Sequence, residues 1–286
     1  MRLALVVNAG SGGGLETEQV AELLRARGAQ VEAFDLDALL DQDPALAAAI
    51  ARADRLVVAG GDGTVGLGAV AAREGGAVLA VLPAGTANDF ARHAGLPTDL
   101  EEAVAVAADP AAPVRPFDLH RADERPFLNA ASCGLSANAA ERAAPLKPSL
   151  GAAAYAAGAV AAGATGDPER ALVTVDGVRR FDGDVWQVIV AGTGAFGGGS
   201  ELDAADPRDG LLDVAVLEAG PRAALVLRAW GMRAGSLTEQ EGVLHLRGAR
   251  VQVDGPEDWN VDGEHCTMGP SASFRSDGQV AVLVGS

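Results

Sequence analysis

Residues 57–66 read VVAGGDGTVG, a buried-looking apolar run that breaks on glycines and one carboxylate before helical spacing resumes. Such a chain leaves a strand through a tight turn and presents backbone N–H groups at the start of a helix, since glycine permits close approach to the backbone. The pattern recurs. LALVVN (3–8) runs into AGSGGG, and GAVLAVLP (76–83) runs into AGTANDF. ETEQVAELLRARG (16–28), PALAAAIARA (44–53), TVGLGAVAARE (64–74), TANDFARHAG (86–95) and DLEEAVAVAA (99–108) read as helices, with QVEAFDL (30–36) and RLVVAG (55–60) as further strands. Strands alternating with helices imply a parallel sheet covered on both faces. Ligands of such sheets gather at the carboxyl ends of the strands. The loops at 8–14, 60–64 and 83–86 all fall there.

From about residue 114 the texture changes. VRPFDLHRA, RPFLNAASCG, RALVTVDGVRRF, DVWQVIVAG, LLDVAVLEAG, GVLHLRG and ARVQVDG are short strand-like runs, and Asp176-Gly177 and Asp262-Gly263 are hairpin-turn dipeptides. The expected fold class is therefore an α/β N-terminal parallel-sheet domain, 1–118, followed by a largely antiparallel β-rich domain, 119–279. Helices are expected near 150–164 and 221–234, and the C-terminal strand 280–286 is expected to return to the first domain.

Charge narrows the function. The chain of 286 residues has a net charge of −17, and only residues 115–185, at −1, are near neutral. Nucleic-acid binding requires clustered Lys and Arg, so no nucleic-acid partner is expected. The two cysteines, Cys133 and Cys266, have no metal-ligand or disulfide spacing. The uncharged stretch 148–166 is too rich in Ala and Gly to span a bilayer, and MRLALVVNAG breaks into glycine too early for a signal peptide. A cytoplasmic address is the expectation. The histidines (His93, His120, His245, His265) lack ligand spacing and suggest packing or surface roles, with His265 notable only for its neighbour Glu264.

Each glycine loop also has an ordinary reading. GGDGT (60–64) fits a tight turn with a capping Asp62, and Thr86 fits a helix N-cap. NAGSGGG is neither a Walker loop nor a GxGxxG fingerprint. GGDGT followed by LPAGTANDFAR (82–92), however, resembles the catalytic domain of the diacylglycerol kinase family, in the bacterial lipid kinase branch related to sphingosine kinases. GGDGT alone would fit NAD kinases and phosphofructokinases too. FLNAASCG (127–134), GAAAYAAGAV, GGGSELDAADPRDGLLDV (197–214) and NVDGE (260–264) extend the resemblance over nearly the whole chain. It departs at Ala9, where the family has proline, and at Ala191-Gly192 and Asp203 around the second glycine-rich turn.

The resemblance implies an ATP-dependent kinase that uses Mg2+ and phosphorylates the hydroxyl of a neutral lipid such as diacylglycerol. Asn8, Ala9, Gly10, Ser11, Gly12, Gly60, Gly61, Gly63, Thr64, Gly85, Thr86 and Asn88 would line the nucleotide. Asp62 and Asp89 would join the metal and water network around the phosphates, and Glu264 would be the general base. A second, structural magnesium would sit on Asp209 with the carbonyls around Asp206 and Leu211. The lipid would be met transiently at a membrane surface, peripherally at the inner face, through the near-neutral segment holding Arg121, Arg125, Arg142, Lys147, Arg170, Arg179 and Arg180. Two alternatives stay open: a kinase for a soluble hydroxyl compound, NAD included, and a nucleotide-binding regulator without turnover. The sequence does not fix the oligomeric state, and a homodimer remains among the options.

Overall fold

The computed structural model describes residues 1–285 except Gly13, 136–165, 197–199 and Asp203. The chain divides into two compact units: Met1–Leu119 with Gln279–Ser286, and His120–Gly278.

The first unit runs β1 (Arg2–Val7), α1 (Thr17–Ala26), β2 (Gln30–Asp35), α2 (Leu36–Leu40), α3 (Pro44–Arg52), β3 (Arg55–Gly60), α4 (Asp62–Gly75), β4 (Val78–Pro83), α5 (Asp89–His93), α6 (Leu100–Ala108) and the start of β5 (Val114–Ala122). Its strands lie parallel, β1 between β2 and β3, and β3 between β1 and β4. The helices start where the sequence supplies caps. Asp43 accepts from the Ala45 N–H ahead of Pro44, and Asp99 accepts from Glu102. Leu3, Leu5, Val7, Val57 and Leu82 pack against Val20, Leu24 and Val104. Arg55, buried at the foot of β3, donates to the carbonyls of Ala107 and Asp109 and so closes the end of α6. The helix after GGDGT begins at Asp62 rather than near Thr64, because the carboxylate is accommodated at the positive end of the helix.

The second unit comprises the rest of β5, β6 (Arg125–Phe127), β7 (Ala130–Gly134), β8 (Glu169–Val175), β9 (Val178–Ala191), β10 (Ala195–Phe196), β11 (Ser200–Glu201), β12 (Leu212–Glu218), α7 (Ala224–Ala234), β13 (Val243–Gly248), β14 (Arg250–Asp254), β15 (Asp258–Val261), β16 (Glu264–Thr267) and β17 (Ser271–Leu283). Its pairings are antiparallel. β9 is bordered by β7, β8 and β12, and β12 by β13, while β14 lies between β8 and β17. Asp176-Gly177 and Asp262-Gly263 both take positive φ, the conformation of a tight two-residue hairpin turn. Phe127, Val173, Val188, Val214, Trp259 and Phe274 form one core. Trp186, Ile189, Leu217 and Leu237 form another, on which Leu225 and Met232 of α7 rest.

Strand β17 carries the chain back: Arg275 pairs with Arg250 of β14 in the second unit, and Val282 pairs in parallel with Leu79 of β4 in the first. The sequence shows only the last part of this strand. The helix expected near 150–164 lies outside the described residues, as do Arg142 and Lys147. Among the described residues no helix is long and apolar enough to cross a membrane.

Candidate nucleotide and phosphoryl-transfer site

The three glycine loops leave the carboxyl ends of β1, β3 and β4, which neighbour one another in the sheet, so their convergence follows from strand order. Short polar side chains fasten them. Asn8 donates through Nδ2 to Thr64 Oγ1 at 2.9 Å and accepts at Oδ1 from the Gly10 N–H at 3.0 Å, tying the first loop to the second and fixing its own turn. Ser11 Oγ donates to the Asn8 carbonyl at 2.7 Å. In the third loop Asn88 adopts φ 51° and closes a ring on Gly85, with Gly85 N–H to Oδ1 at 2.8 Å and Nδ2–H to the Gly85 carbonyl at 2.9 Å.

Asp62 joins the second loop to the third. Its carboxylate accepts from the Phe90 N–H at 2.9 Å and the Asp89 N–H at 3.2 Å, so it secures the first turn of α5 from another helix. Asp62 thus acts as a cap, but of α5 rather than of the helix that it begins. The glycines are there for space. A Cβ on Gly85 would lie 2.6 Å from the Gly61 Cα, and one on Gly60 would lie 2.8 Å from the Thr64 Cβ. Gly12 comes near Thr86, whose Oγ1 would stand 3.7 Å from an added Cβ. Asn8, Gly10, Gly12, Gly60, Gly61, Asp62, Thr64, Gly85, Thr86, Asn88 and Asp89 are therefore one cluster in the first unit. Asp89 is buried, its carboxylate 4.0 Å from Arg92.

This cluster offers hard oxygen donors, the kind that magnesium takes. A carboxylate oxygen has more than one lone pair, so holding a backbone N–H is compatible with holding a water of a hydrated ion. The donor set of the first unit fits Mg2+ bound together with phosphates.

The second unit holds Glu264 and the 206–211 turn. Glu264 opens β16 directly after the Asp262-Gly263 turn, is exposed, and pairs with Arg125 at 3.0 Å. Its strand is placed by a residue that sequence reasoning passed over. Asp262, buried, accepts from the N–H groups of Leu128 at 2.8 Å, Asn129 at 2.9 Å and Ala130 at 3.1 Å. Three N–H donors on one carboxylate lock the β6–β7 connection to the turn that carries Glu264. Thr193 Oγ1 adds a bond to Asn129 Oδ1 at 2.9 Å. The nearest signal in the sequence was NVDGE, in which the aspartate looked like turn chemistry alone.

The structural magnesium expected at Asp209 meets a different arrangement. Asp209 Oδ2 faces the guanidinium of Arg247, and Oδ1 accepts from the Leu211 N–H at 2.9 Å. Asp206 accepts from the Arg208 backbone at 3.2 Å, with Arg208 Nε 3.5 Å away. Arg247 also reaches buried Asp213 at 3.0 Å, and His245 Nε2 lies 2.7 Å from the same Asp213 oxygen. Burial works against the Arg247 charge, but Asp213 and Asp209 outweigh it and hold the guanidinium charged more firmly than usual. Arginines of the chain already answer the turn's carboxylates, Arg247 at Asp209 and Arg208 at Asp206. The residues present do not fit a second magnesium here.

His120 has a packing role. Its ring is fully buried against Phe127, with centroids 5.4 Å apart, and neither nitrogen has a hydrogen-bond partner. A Cβ on Gly192 would lie 2.5 Å from its Cδ2, so glycine at 192 makes room for the imidazole. Burial lowers its pKa to about 4, against the raising influence of Asp209 and Asp277. His265, exposed, stands 3.7 Å from Asp258.

Comparison with known proteins accounts for both units. The diacylglycerol kinase catalytic domain matches residues 2–121, and the YegS C-terminal NAD kinase beta sandwich-like domain matches residues 129–284. A diacylglycerol kinase of Bacillus subtilis is 30% identical over 232 residues, which cover 78% of this chain and 75% of that protein. A probable lipid kinase YegS-like of Pseudomonas putida is 39% identical over 175 residues, 57% of this chain and 56% of the relative. The crystal structure of a diacylglycerol kinase from Bacillus anthracis shares the fold with a TM-score of 0.75 at 22% identity, over 99% of this chain and 97% of that one. The chain belongs to the diacylglycerol kinase family of phosphotransferases, among its YegS-like bacterial lipid kinases.

Proposed function

We propose that the protein transfers the γ-phosphoryl group of ATP to the hydroxyl of a neutral lipid, diacylglycerol or a close analogue. The observation that carries this reading is the joined set of loops in the first unit, in a chain whose two family matches are those of lipid kinases. Phosphoryl transfer asks little covalent chemistry of a protein. It asks for positioning, for neutralised charge and for a deprotonated acceptor. The N–H groups of residues 8–12 and 60–64 answer the first need, held in place by Asn8 and by the Asn88–Gly85 ring. Magnesium, when bound with the nucleotide, neutralises phosphate charge. Asp62 and Asp89 would hold that ion through its waters. Glu264 takes the proton from the lipid hydroxyl, and Asp262 holds the turn from which it projects.

Radiolabelled ATP with purified protein and a panel of lipid and soluble alcohols tests the reading. Label in a diacylglycerol-like acceptor is expected. The β-rich unit matches a domain described as NAD kinase-like, which keeps a soluble acceptor as the second reading. Label in NAD or another soluble alcohol alone would establish that second reading instead. ATP binding without label in any acceptor would leave a nucleotide-binding regulator.

A further inference from the structure

The carboxylate proposed as the base does not stand alone. Arg125 Nη1 donates to Glu264 Oε2 at 3.0 Å, and both residues are exposed. An exposed ion pair is in general worth little, because water screens it and two long side chains must be ordered. What sets this pair apart is how firmly both of its backbones are held.

Arg125 follows a turn that β17 grips. The Asp123 N–H donates to the Ser273 carbonyl at 2.7 Å, and Asp123 Oδ1 accepts from the Ser273 N–H at 3.0 Å. Arg275 donates to the Asp123 carbonyl at 3.0 Å, and Arg121 to the Glu124 carbonyl at 2.9 Å. On the other flank of Arg125, the N–H groups of residues 128–130 are bonded to Asp262, which precedes Glu264 in the same hairpin turn. The Gly263 N–H donates to Asn260 Oδ1 at 3.0 Å, and Glu264 pairs with Val261 across the β15–β16 hairpin. Arginine and glutamate thus project from two segments that are already joined.

Other carboxylates of this region are engaged elsewhere. Asp123 accepts from the Ser273 hydroxyl, Glu124 lies 3.6 Å from Arg275, and Asp258 accepts from Thr267 Oγ1 at 3.2 Å with His265 3.7 Å away. Glu264 is the carboxylate that Arg125 meets, whereas the sequence placed this arginine on a membrane-docking face. We propose that Arg125 is the positioning residue of the base: it holds Oε2 and so aims Oε1 at the acceptor hydroxyl. This rests on the phosphoryl-transfer reading above. In that step the acceptor oxygen bonds to the γ-phosphorus, and the bond from phosphorus to the β–γ bridging oxygen breaks. ADP leaves with that electron pair, and the hydroxyl proton passes to Glu264 Oε1. Nucleotide phosphates repel a loose carboxylate, and a guanidinium fixed beside it opposes that repulsion without touching the reacting atoms.

A double-mutant cycle tests this, with radiolabelled ATP and dihexanoylglycerol as acceptor, or NAD if only a soluble alcohol takes label. Arg125→Gln is expected to lower kcat about 10- to 100-fold, the scale of a misplaced catalytic group, with KM for ATP unchanged. Arg125→Lys keeps one charged donor and should recover most of that loss. On a Glu264→Gln background, Arg125→Gln should alter kcat less than about twofold, because residues that act as a unit are not additive. The midpoint of urea unfolding should stay in place, since the pair is exposed. Undiminished kcat in Arg125→Gln would overturn the proposal, as would a loss that only follows the fraction of folded protein. So would an equal loss on both backgrounds, which would make Arg125 a direct contact of acceptor or phosphate, or an Arg125→Lys enzyme no faster than Arg125→Gln. Failure of the underlying reading looks different: the unaltered protein labels no alcohol, lipid or soluble, and the proposal falls with it.

Discussion

The two units solve the same problem, holding loops in place, with different chemistry. In the parallel unit the ties are short neutral side chains and one carboxylate acting on backbone at loops brought together by strand order: Asn8 to Thr64, Asn88 to Gly85, Asp62 to α5. In the antiparallel unit they are charged or buried groups meeting across long separations, such as Asp262 on residues 128–130 and Arg247 between Asp209 and Asp213. Small neutral ties leave room for an anion of high charge beside exposed N–H groups. A charged network makes rigid joints but responds to proton concentration and to the loss of either partner. The first unit is thus suited to receive a ligand, and the second to hold a few residues in fixed places.

The largest effect should come from the second unit. Glu264→Gln is expected to lower turnover by roughly 100- to 10,000-fold while ATP affinity stays near normal, the worth of a positioned base. Steady-state rates beside calorimetry check it, and equal turnover would remove the general-base assignment. Asp262→Ala comes next. It leaves three buried N–H groups without their carboxylate and should destabilise the second unit by roughly 3–5 kcal/mol. All three tryptophans lie in that unit, so the midpoint of urea unfolding by fluorescence reads it directly. A loss below the noise of that measurement would mean that the turn is held by other contacts.

His120 supplies a pH dependence of similar size. Its folded pKa of about 4 lies below the ordinary 6.5, so the unfolded chain takes up a proton first. Its stabilising contribution is complete above about pH 6.5, declines as pH falls towards 4, and changes no further below that, a span of roughly 3 kcal/mol. His120→Leu should flatten this part of the stability curve relative to the unaltered protein. Parallel curves would contradict the assignment. In the first unit Asp62→Asn keeps an acceptor for one N–H of α5 but loses the charge. ATP–magnesium affinity is expected to fall about tenfold, for roughly 1 kcal/mol in folding. Equal affinity by calorimetry would place the phosphates elsewhere. The smallest expected effect is none. EDTA should leave the unfolding midpoint of the second unit unchanged, because Arg247 already serves the Asp209 turn, whereas a drop on chelation would show a resident cation there.

How much of this was legible differs between the halves for a physical reason. The alternation of strands, glycine loops and helices in residues 1–108 is a local signal, and sheet topology then brings the loops together without further instruction. The β-rich character after residue 114 was legible from short apolar runs and two Asp-Gly turns. Its joints were not. Asp262 serves N–H groups more than 130 residues away, and nothing in VDGE distinguishes an exposed turn aspartate from a buried one. Arg55 on α6 and Arg247 on Asp209 are hidden the same way, since a pairing of side chains distant in sequence leaves no periodicity. The exposed side of α7 was hidden too. The sequence marks a helix near 221–234 but not which of its apolar side chains stay outside, and only packing decides that.

The passage of β17 out of the second unit and back to β4 also sets an order of events during synthesis. Val282 and Leu283, buried in the first unit, leave the ribosome after every residue of the second. The first 119 residues therefore emerge with one side of β4 lacking its final partner, an open strand edge that invites wrong pairing. The parallel-sheet unit precedes the β-rich unit in the chain, but it can be completed only after the β-rich unit has been made.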